Sequence, residues 1–254
     1  MLPTLSIGSV ALPTYPLLLL VALWLGLGVS AARARWFGLD GDHVYNAGLY
    51  GLIAGILGAR IWFVLSHWEN YGPDLSQAFS LSRSALSAGE GLIVAGVVVL
   101  IYLQRHQVSL GLFLDAIVPG TAIALCIGHL GAFFGGVGLG MPSNVPWAIE
   151  IGNTPRHPVQ LYEAAAALLI FGILYGLRHW RPWPGAQFWL LVGFYSLARL
   201  ILEIFHHRPT VIGDGFLAAQ IIALAGLILT LAVMAYNFRS SSTEVDVERY
   251  ELVK

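Results

Sequence analysis

The residues able to do chemistry in this chain of 254 residues are embedded in strongly apolar sequence. Tyr195, Arg199, Glu203 and His206 recur at i, i+4, i+8 and i+11, which lines them along one stripe of a helix. A second set, His157, Gln160, Tyr162 and Glu163, enters another apolar run, with His157, Gln160 and Glu163 at intervals of three. Arg60, Glu90 and His129 lie in apolar runs of their own. Guanidinium groups hold anions and stabilise departing negative charge, while imidazole and carboxylate accept protons. Carried into apolar sequence, these groups point to a wet or charged interior site rather than to lipid contact.

The elements that must position these groups are set by composition. The chain is 57% hydrophobic and 11% charged, which places it in a bilayer. Seven runs are long enough to cross a hydrocarbon core of roughly 30 Å, at about 20 helical residues each: 15–32, 44–66, 85–103, 113–136, 158–177, 185–206 and 214–236. Backbone polar groups in lipid must pair within the segment, and these runs are too continuously apolar for barrel strands. The expected fold class is all-α, a polytopic membrane protein with seven transmembrane helices. The first run is expected to be a mature helix rather than a signal peptide, because Arg33 and Arg35 follow it instead of preceding it.

Basic residues set the orientation. With the N-terminus outside and the C-terminus cytoplasmic, the inner segments hold Arg33, Arg35, Arg105, Arg178, Arg181, Arg239, Arg249 and Lys254, and the outer ones Arg83, Arg156 and Arg208. Residues 1–239 are expected to form one transmembrane domain and 240–254 a polar cytoplasmic tail. Long outer loops are expected at 67–84 and 137–157, the second folding over the outer face. Glycine clusters such as GLYGLIAGILGAR and GHLGAFFGGVGLG allow helices to approach closely.

A charged residue at a helix centre costs about 2.5–3.5 kcal/mol on insertion scales. Arg60, Glu90, His129, Glu163, Arg199 and Glu203 come from five of the expected spans. On this topology all six fall within roughly 10 Å of the outer end, at a rise of about 1.5 Å per residue. Convergence of that kind marks a substrate or ion path. The alternative is a structural network in which Arg199 neutralises Glu203, Glu163 pairs with Arg60, and His129 is a hydrogen-bonded packing residue.

Several classes are excluded. Net charge is −1 with basic residues scattered singly, so no nucleic-acid surface is expected. Cys126 is the only cysteine, which removes disulfide and thiolate–metal frameworks. Lys254 is the only lysine and lies in the tail, so no helix can carry a retinal Schiff base. No inverted repeat suggests a transporter.

The segment HPVQLYE, His157 to Glu163, resembles the H-P-x-Q-L-Y-E pattern of the bacterial phosphatidylglycerol–prolipoprotein diacylglyceryl transferases. LSIGSVAL near the N-terminus, GARI around Arg60, YSLARLILEIF with its Y-x-x-x-R-x-x-x-E stripe, and Gln220 match in the same order. The chain departs from the family pattern in two places. Where the family reads G-R-x-G-N-F-x-N-x-E-x-x-G, this chain has His129 for the arginine, Ala132 and Gly135 for the asparagines and Val137 for the glutamate. Where the family reads M-S-x-H-G-G, Gly89 takes the place of the histidine, with Glu90 beside it.

The resemblance implies transfer of a diacylglyceryl group from phosphatidylglycerol to the cysteine thiol of a prolipoprotein signal peptide, in a bacterial cell membrane. The active-site layer would lie toward the outer leaflet. No cofactor or metal is expected; the expected partners are membrane lipid, the donor phosphatidylglycerol and the signal peptide. The expected catalytic residues are His129, Arg199 and Glu203. Arg60, Glu90, His157, Gln160, Tyr162, Glu163 and Tyr195 are expected to bind substrate. The alternative is a phospholipid-binding membrane protein of the same descent that lacks the reaction or performs it with altered specificity.

Overall fold

The computed structural model describes residues 2–7, 10–71, 87–151, 153–207, 211–212 and 216–251. Arg83, Arg208 and Lys254, and most of the 67–84 loop, lie outside the described residues. In chain order the elements are β1 (Thr4–Ile7), β2 (Val10–Pro13), α1 (Thr14–Arg35), α2 (Gly41–Ser66), the single turn α3 (Trp68–Tyr71), α4 (Ala88–Arg105) and α5 (Leu110–Phe134). There follow β3 (Ile149–Ile151), β4 (Thr154–Arg156), α6 (Val159–Gly176), α7 (Ala186–Leu202), a 3-10 turn (Glu203–Phe205), β5 (Val211–Ile212), β6 (Phe216–Leu217) and α8 (Ala218–Glu251).

The protein is helical and polytopic. Among the described residues, α1, α2, α5, α6, α7 with its 3-10 turn, and the first 22 residues of α8 are long and apolar enough to cross a membrane, with mean hydropathies from 1.6 to 2.3. The expected span 85–103 corresponds to α4, whose 18 residues place it at the short end of bilayer-spanning length. The apolar run expected to end at 236 continues as helix to Glu251, through the polar segment read as a tail. The expected sixth span also changes character near its end, since α7 stops at Leu202 and tightens into the 3-10 turn.

Three antiparallel two-stranded hairpins, β1–β2, β3–β4 and β5–β6, were not expected. They are two to four residues per strand, too short for an alternation of apolar and polar positions to stand out from the surrounding sequence.

The chain forms two compact units. One comprises residues 31–116 and the other residues 1–30 and 117–254. In the first, α2 and α4 run antiparallel with glycines at their contact. A Cβ on Gly55 would lie 3.2 Å from the Gly91 carbonyl oxygen, and one on Gly58 would lie 2.8 Å from Val94. The glycine-rich sequence of α2 is thus spent on helix contact.

In the second unit, Val118, Ala122, Ile170, Leu174 and Leu191 form a buried core from α5, α6 and α7. Tyr195 and Ala198 pack against it, which sets the rotation of α7 and therefore the direction of Arg199 one turn beyond Tyr195. Against α5, α1 approaches so closely that a Cβ on Gly120 would lie 2.1 Å from both the Gly26 carbonyl oxygen and Ser30 Oγ. This contact gives a control experiment. Gly120→Ala is expected to destabilise by about 1–3 kcal/mol through overpacking and to lower the detergent-solubilised melting temperature. Gly172→Ala, where an added Cβ meets nothing within 4 Å, is expected to melt at or above the wild-type temperature.

Candidate active site

The end of α5, the start of α6 and the end of α7 bring four of the expected residues together. Glu163, in the second turn of α6, is 7% exposed, and Glu203, opening the 3-10 turn, is 5% exposed. Arg199 lies between them. Its guanidinium donates from Nη1 to Glu163 Oε1 and from Nη2 to Glu203 Oε2, the latter at 2.5 Å. The other oxygen of Glu163, Oε2, lies 3.0 Å from His129 Nδ1. His206 closes the group, its Nε2 3.6 Å from Glu163 Oε1 and its Nδ1 3.8 Å from Glu203 Oε2.

Glu163 is therefore the hub, with each carboxylate oxygen directed at a different helix. One permanent cation faces two carboxylates, and the two imidazoles are the neighbouring groups able to carry further positive charge. Removing one member of such a buried network costs about 3–5 kcal/mol, because the charge left behind is uncompensated. The planar guanidinium suits the place: a fork can serve two carboxylates at once, which a lysine ammonium does less well.

Two nitrogens in this cluster, His129 Nε2 and His206 Nδ1, are buried without a hydrogen-bond partner. For His129 the consequence is chemical. A carboxylate that fixes one ring nitrogen selects the tautomer and orients the ring, leaving the other nitrogen to accept a proton. This is the base-and-orienter relation found wherever a nucleophile must be activated.

The loop between α5 and α6 is bound over this end of the helices. Leu139 to Ser143 runs as an extended segment between two others. On one side His207 N donates to Leu139 O (2.9 Å) and Met141 N to Phe205 O (2.8 Å); on the other His157 N donates to Met141 O (3.0 Å) and Ser143 N to Pro155 O (2.9 Å). Gly140 permits the approach, since a Cβ there would lie 2.0 Å from the His157 carbonyl oxygen. Arg156 donates to Gly140 O at 3.0 Å. Gln160, 2% exposed, donates to the Val137 and Gly138 carbonyls at 2.8 and 2.7 Å, so its amide is committed to the loop's backbone.

The remaining expected residues are distributed as follows. Tyr195 is one helical turn before Arg199 on the same stripe. His157 precedes Pro158, the N-cap of α6, so the interval of three between it and Gln160 is not a helical stripe. Its Nδ1 lies 3.1 Å from the Tyr162 hydroxyl, which also accepts from Trp147 Nε1 at 2.6 Å. Arg60 and Glu90 belong to the unit of residues 31–116. Arg60 is 5% exposed, with its guanidinium carbon 5.2 Å from the Tyr71 ring centroid. Of the pairs in the structural alternative, Arg199 with Glu203 is present, and Glu163 has His129, Arg199 and His206 as partners. His206 was visible in the stripe but given no role, and Trp147 carried no local signal. Among the described residues no group of three or more histidines, cysteines or carboxylates is arranged to hold a metal ion.

The chain matches the model of the prolipoprotein diacylglyceryl transferase family over residues 3–236. Its relatives include proteins named phosphatidylglycerol–prolipoprotein diacylglyceryl transferase from Clostridioides difficile, 26% identical and covering 92% of this chain and 94% of that protein, and from Acaryochloris marina, 28% identical and covering 87% and 85%. Another, from Corynebacterium diphtheriae, is 28% identical and covers 78% of each chain. A match that spans nearly every helix, on a chain that buries Glu163 of the HPVQLYE segment and Glu203 of the YSLARLILEIF segment, makes this protein a member of the prolipoprotein diacylglyceryl transferase family.

Proposed function

We propose that the protein transfers the diacylglyceryl group of phosphatidylglycerol to the thiol of a prolipoprotein signal-peptide cysteine, and that the Glu163 cluster is where it does so. Family membership supports the reaction. The observation that carries the site is Glu163 fixing His129 on one oxygen and Arg199 on the other, with His129 Nε2 unpartnered.

In that reaction the cysteine thiol loses its proton and its sulfur attacks the glyceryl carbon next to the phosphate. The new bond is a carbon–sulfur thioether, the bond broken is carbon–oxygen, and glycerol phosphate leaves as an anion. A thiol has an ordinary pKa near 8.5 and needs a base. His129 is that base, accepting the proton at Nε2 while Glu163 holds Nδ1. Arg199 steadies the phosphate oxygens as negative charge develops on the leaving group, and Glu203 fixes the opposite arm of the guanidinium. Arg60, always charged, is proposed as a second phosphate-binding group. Tyr195 and the His157–Tyr162 pair are proposed to line the substrate path. Glu90 is not assigned to the donor, because a carboxylate repels an anionic headgroup.

The protein is proposed to sit in the bacterial cell membrane with α4 as its seventh span, the N-terminus outside and the C-terminus cytoplasmic, which puts the cluster near the outer leaflet. The distribution of basic residues supports that orientation.

The test is purified protein with phosphatidylglycerol and a lipobox peptide, following thioether product and released glycerol phosphate. Product is expected, with a loss of about 10²-fold or more for Arg199→Ala, in line with removal of a charge-stabilising donor. Lipid retention without product would instead favour a phospholipid-binding protein that lacks the reaction. A sharper test concerns His129, where the family pattern has arginine. His129→Arg keeps a cation but removes the proton acceptor, so it is expected to lower the rate by about 10²–10⁴-fold, the range of a general base. Unchanged activity in that variant would mean that His129 serves only as a positive group.

A further inference from the structure

Within the unit of residues 31–116, α2 and α4 border a groove of about 590 Å³, inside the range of about 300–1,000 Å³ typical of small-molecule sites. Its walls are apolar and include Leu57, Ile61, Trp62, Ile93 and Val94; Glu90 is the one charged residue among those lining it. Ile61, Trp62 and Ile93 are 60%, 51% and 69% exposed. In a chain of this composition, exposed apolar surface on a spanning helix faces acyl chains.

Among the described residues Glu90 does not serve as a capping group. It stands at the third position after Ser87, the N-cap of α4, so Ser87-Ala88-Gly89-Glu90 reads as a capping box. In such a box the glutamate reaches back to the serine N–H. That N–H instead donates to the Ala59 carbonyl at 3.2 Å, and the Ser87 side chain makes no capping bond. The Glu90 carboxylate has no ion pair among the described residues and lines an apolar groove. A carboxylate so placed is costly unless a ligand matches it.

The matching chemistry is an ammonium group. A carboxylate and an exposed indole lining one groove supply charge and a π face together, the combination that recognises alkylammonium ions. Glu90 and Trp62 lie toward the end of the helix pair where α2 finishes and α4 begins, while Leu57 and Val94 lie about a turn deeper. We infer that this groove is a lipid site for an ammonium-bearing zwitterionic phospholipid, its headgroup at Glu90 and Trp62 and an acyl chain along Leu57, Ile93 and Val94. The occupant differs in charge from the phosphatidylglycerol donor, and the site stands independently of the transfer reaction.

The experiment is native mass spectrometry of the full chain released from detergent with equal amounts of phosphatidylethanolamine, N-acetylated phosphatidylethanolamine or phosphatidylglycerol. N-acetylation removes the ammonium and leaves the phosphate and acyl chains. Phosphatidylethanolamine is expected to be retained about fivefold or more over its N-acetyl form, as one cation–π contact with an opposed charge would give. Glu90→Gln is expected to bring that ratio near one, Trp62→Leu to lower it, and Arg199→Ala to leave it intact. Equal retention of the two ethanolamine lipids by the wild-type chain, or an unchanged ratio in Glu90→Gln, would overturn the proposal. Loss of the ratio in Arg199→Ala protein that retains the wild-type melting temperature would overturn it too, by assigning the lipid to the Glu163 cluster.

Discussion

A carboxylate inside an apolar bundle is tolerated where counter-charges surround it, and Glu163 is such a carboxylate. It is 7% exposed, and its partners come from α5, α7 and the turn after α7. This one requirement ties the adjoining ends of α5, α6 and α7 to one another. It also explains why the chain keeps polar residues in segments that otherwise read as hydrocarbon-spanning. The desolvation cost of Glu163 is offset by placing Arg199 and His129 at fixed positions, which are the positions the proposed reaction on an anionic lipid and a thiol would use.

The loop from Val137 to His157 depends on the same end of the bundle. Its extended middle segment pairs with backbone flanking His206 on one side and with backbone entering α6 on the other. The backbone that carries His206 is thereby held by the chain that begins the Glu163 helix. Gln160 adds two hydrogen bonds to the loop's first residues. The cluster, a strand-like cover and the start of α6 therefore form one mechanical piece, in which the side chains of the proposed site are also structural.

Much of this was legible in the sequence. Hydropathy located the helices, because the period and length of an apolar run follow from the solvent in which a helix sits. The i, i+4, i+8 stripe of Tyr195, Arg199 and Glu203 located one face of the cluster, and the pairing of Arg199 with Glu203 follows from that local spacing. Contacts between distant segments were not legible. Nothing near Trp147 announces its hydrogen bond to Tyr162, and nothing near Gln160 announces that its amide is taken up by the loop. His157 shows how spacing misleads: an interval of three means a shared face only inside a helix, and α6 begins after Pro158. The capping-box pattern at Ser87 misleads similarly, since a neighbouring helix's carbonyl takes the serine N–H.

The substitution at His129 changes what the cluster can do. The family pattern has arginine at that place, a group that holds charge but accepts no proton at ordinary pH. An imidazole oriented by Glu163 holds the same position and accepts one. The central claim is that Glu163 fixes His129 through Nδ1 and leaves Nε2 as a bare acceptor. The most direct measurement is ¹⁵N magnetic resonance of histidine-labelled protein in bilayers, with His129 assigned by its absence in His129→Gln. The account requires a protonated Nδ1 that is hydrogen-bonded to a carboxylate and an unprotonated Nε2. A proton resident on Nε2 with Nδ1 bare, or a ring signal unaffected by Glu163→Gln, would contradict it.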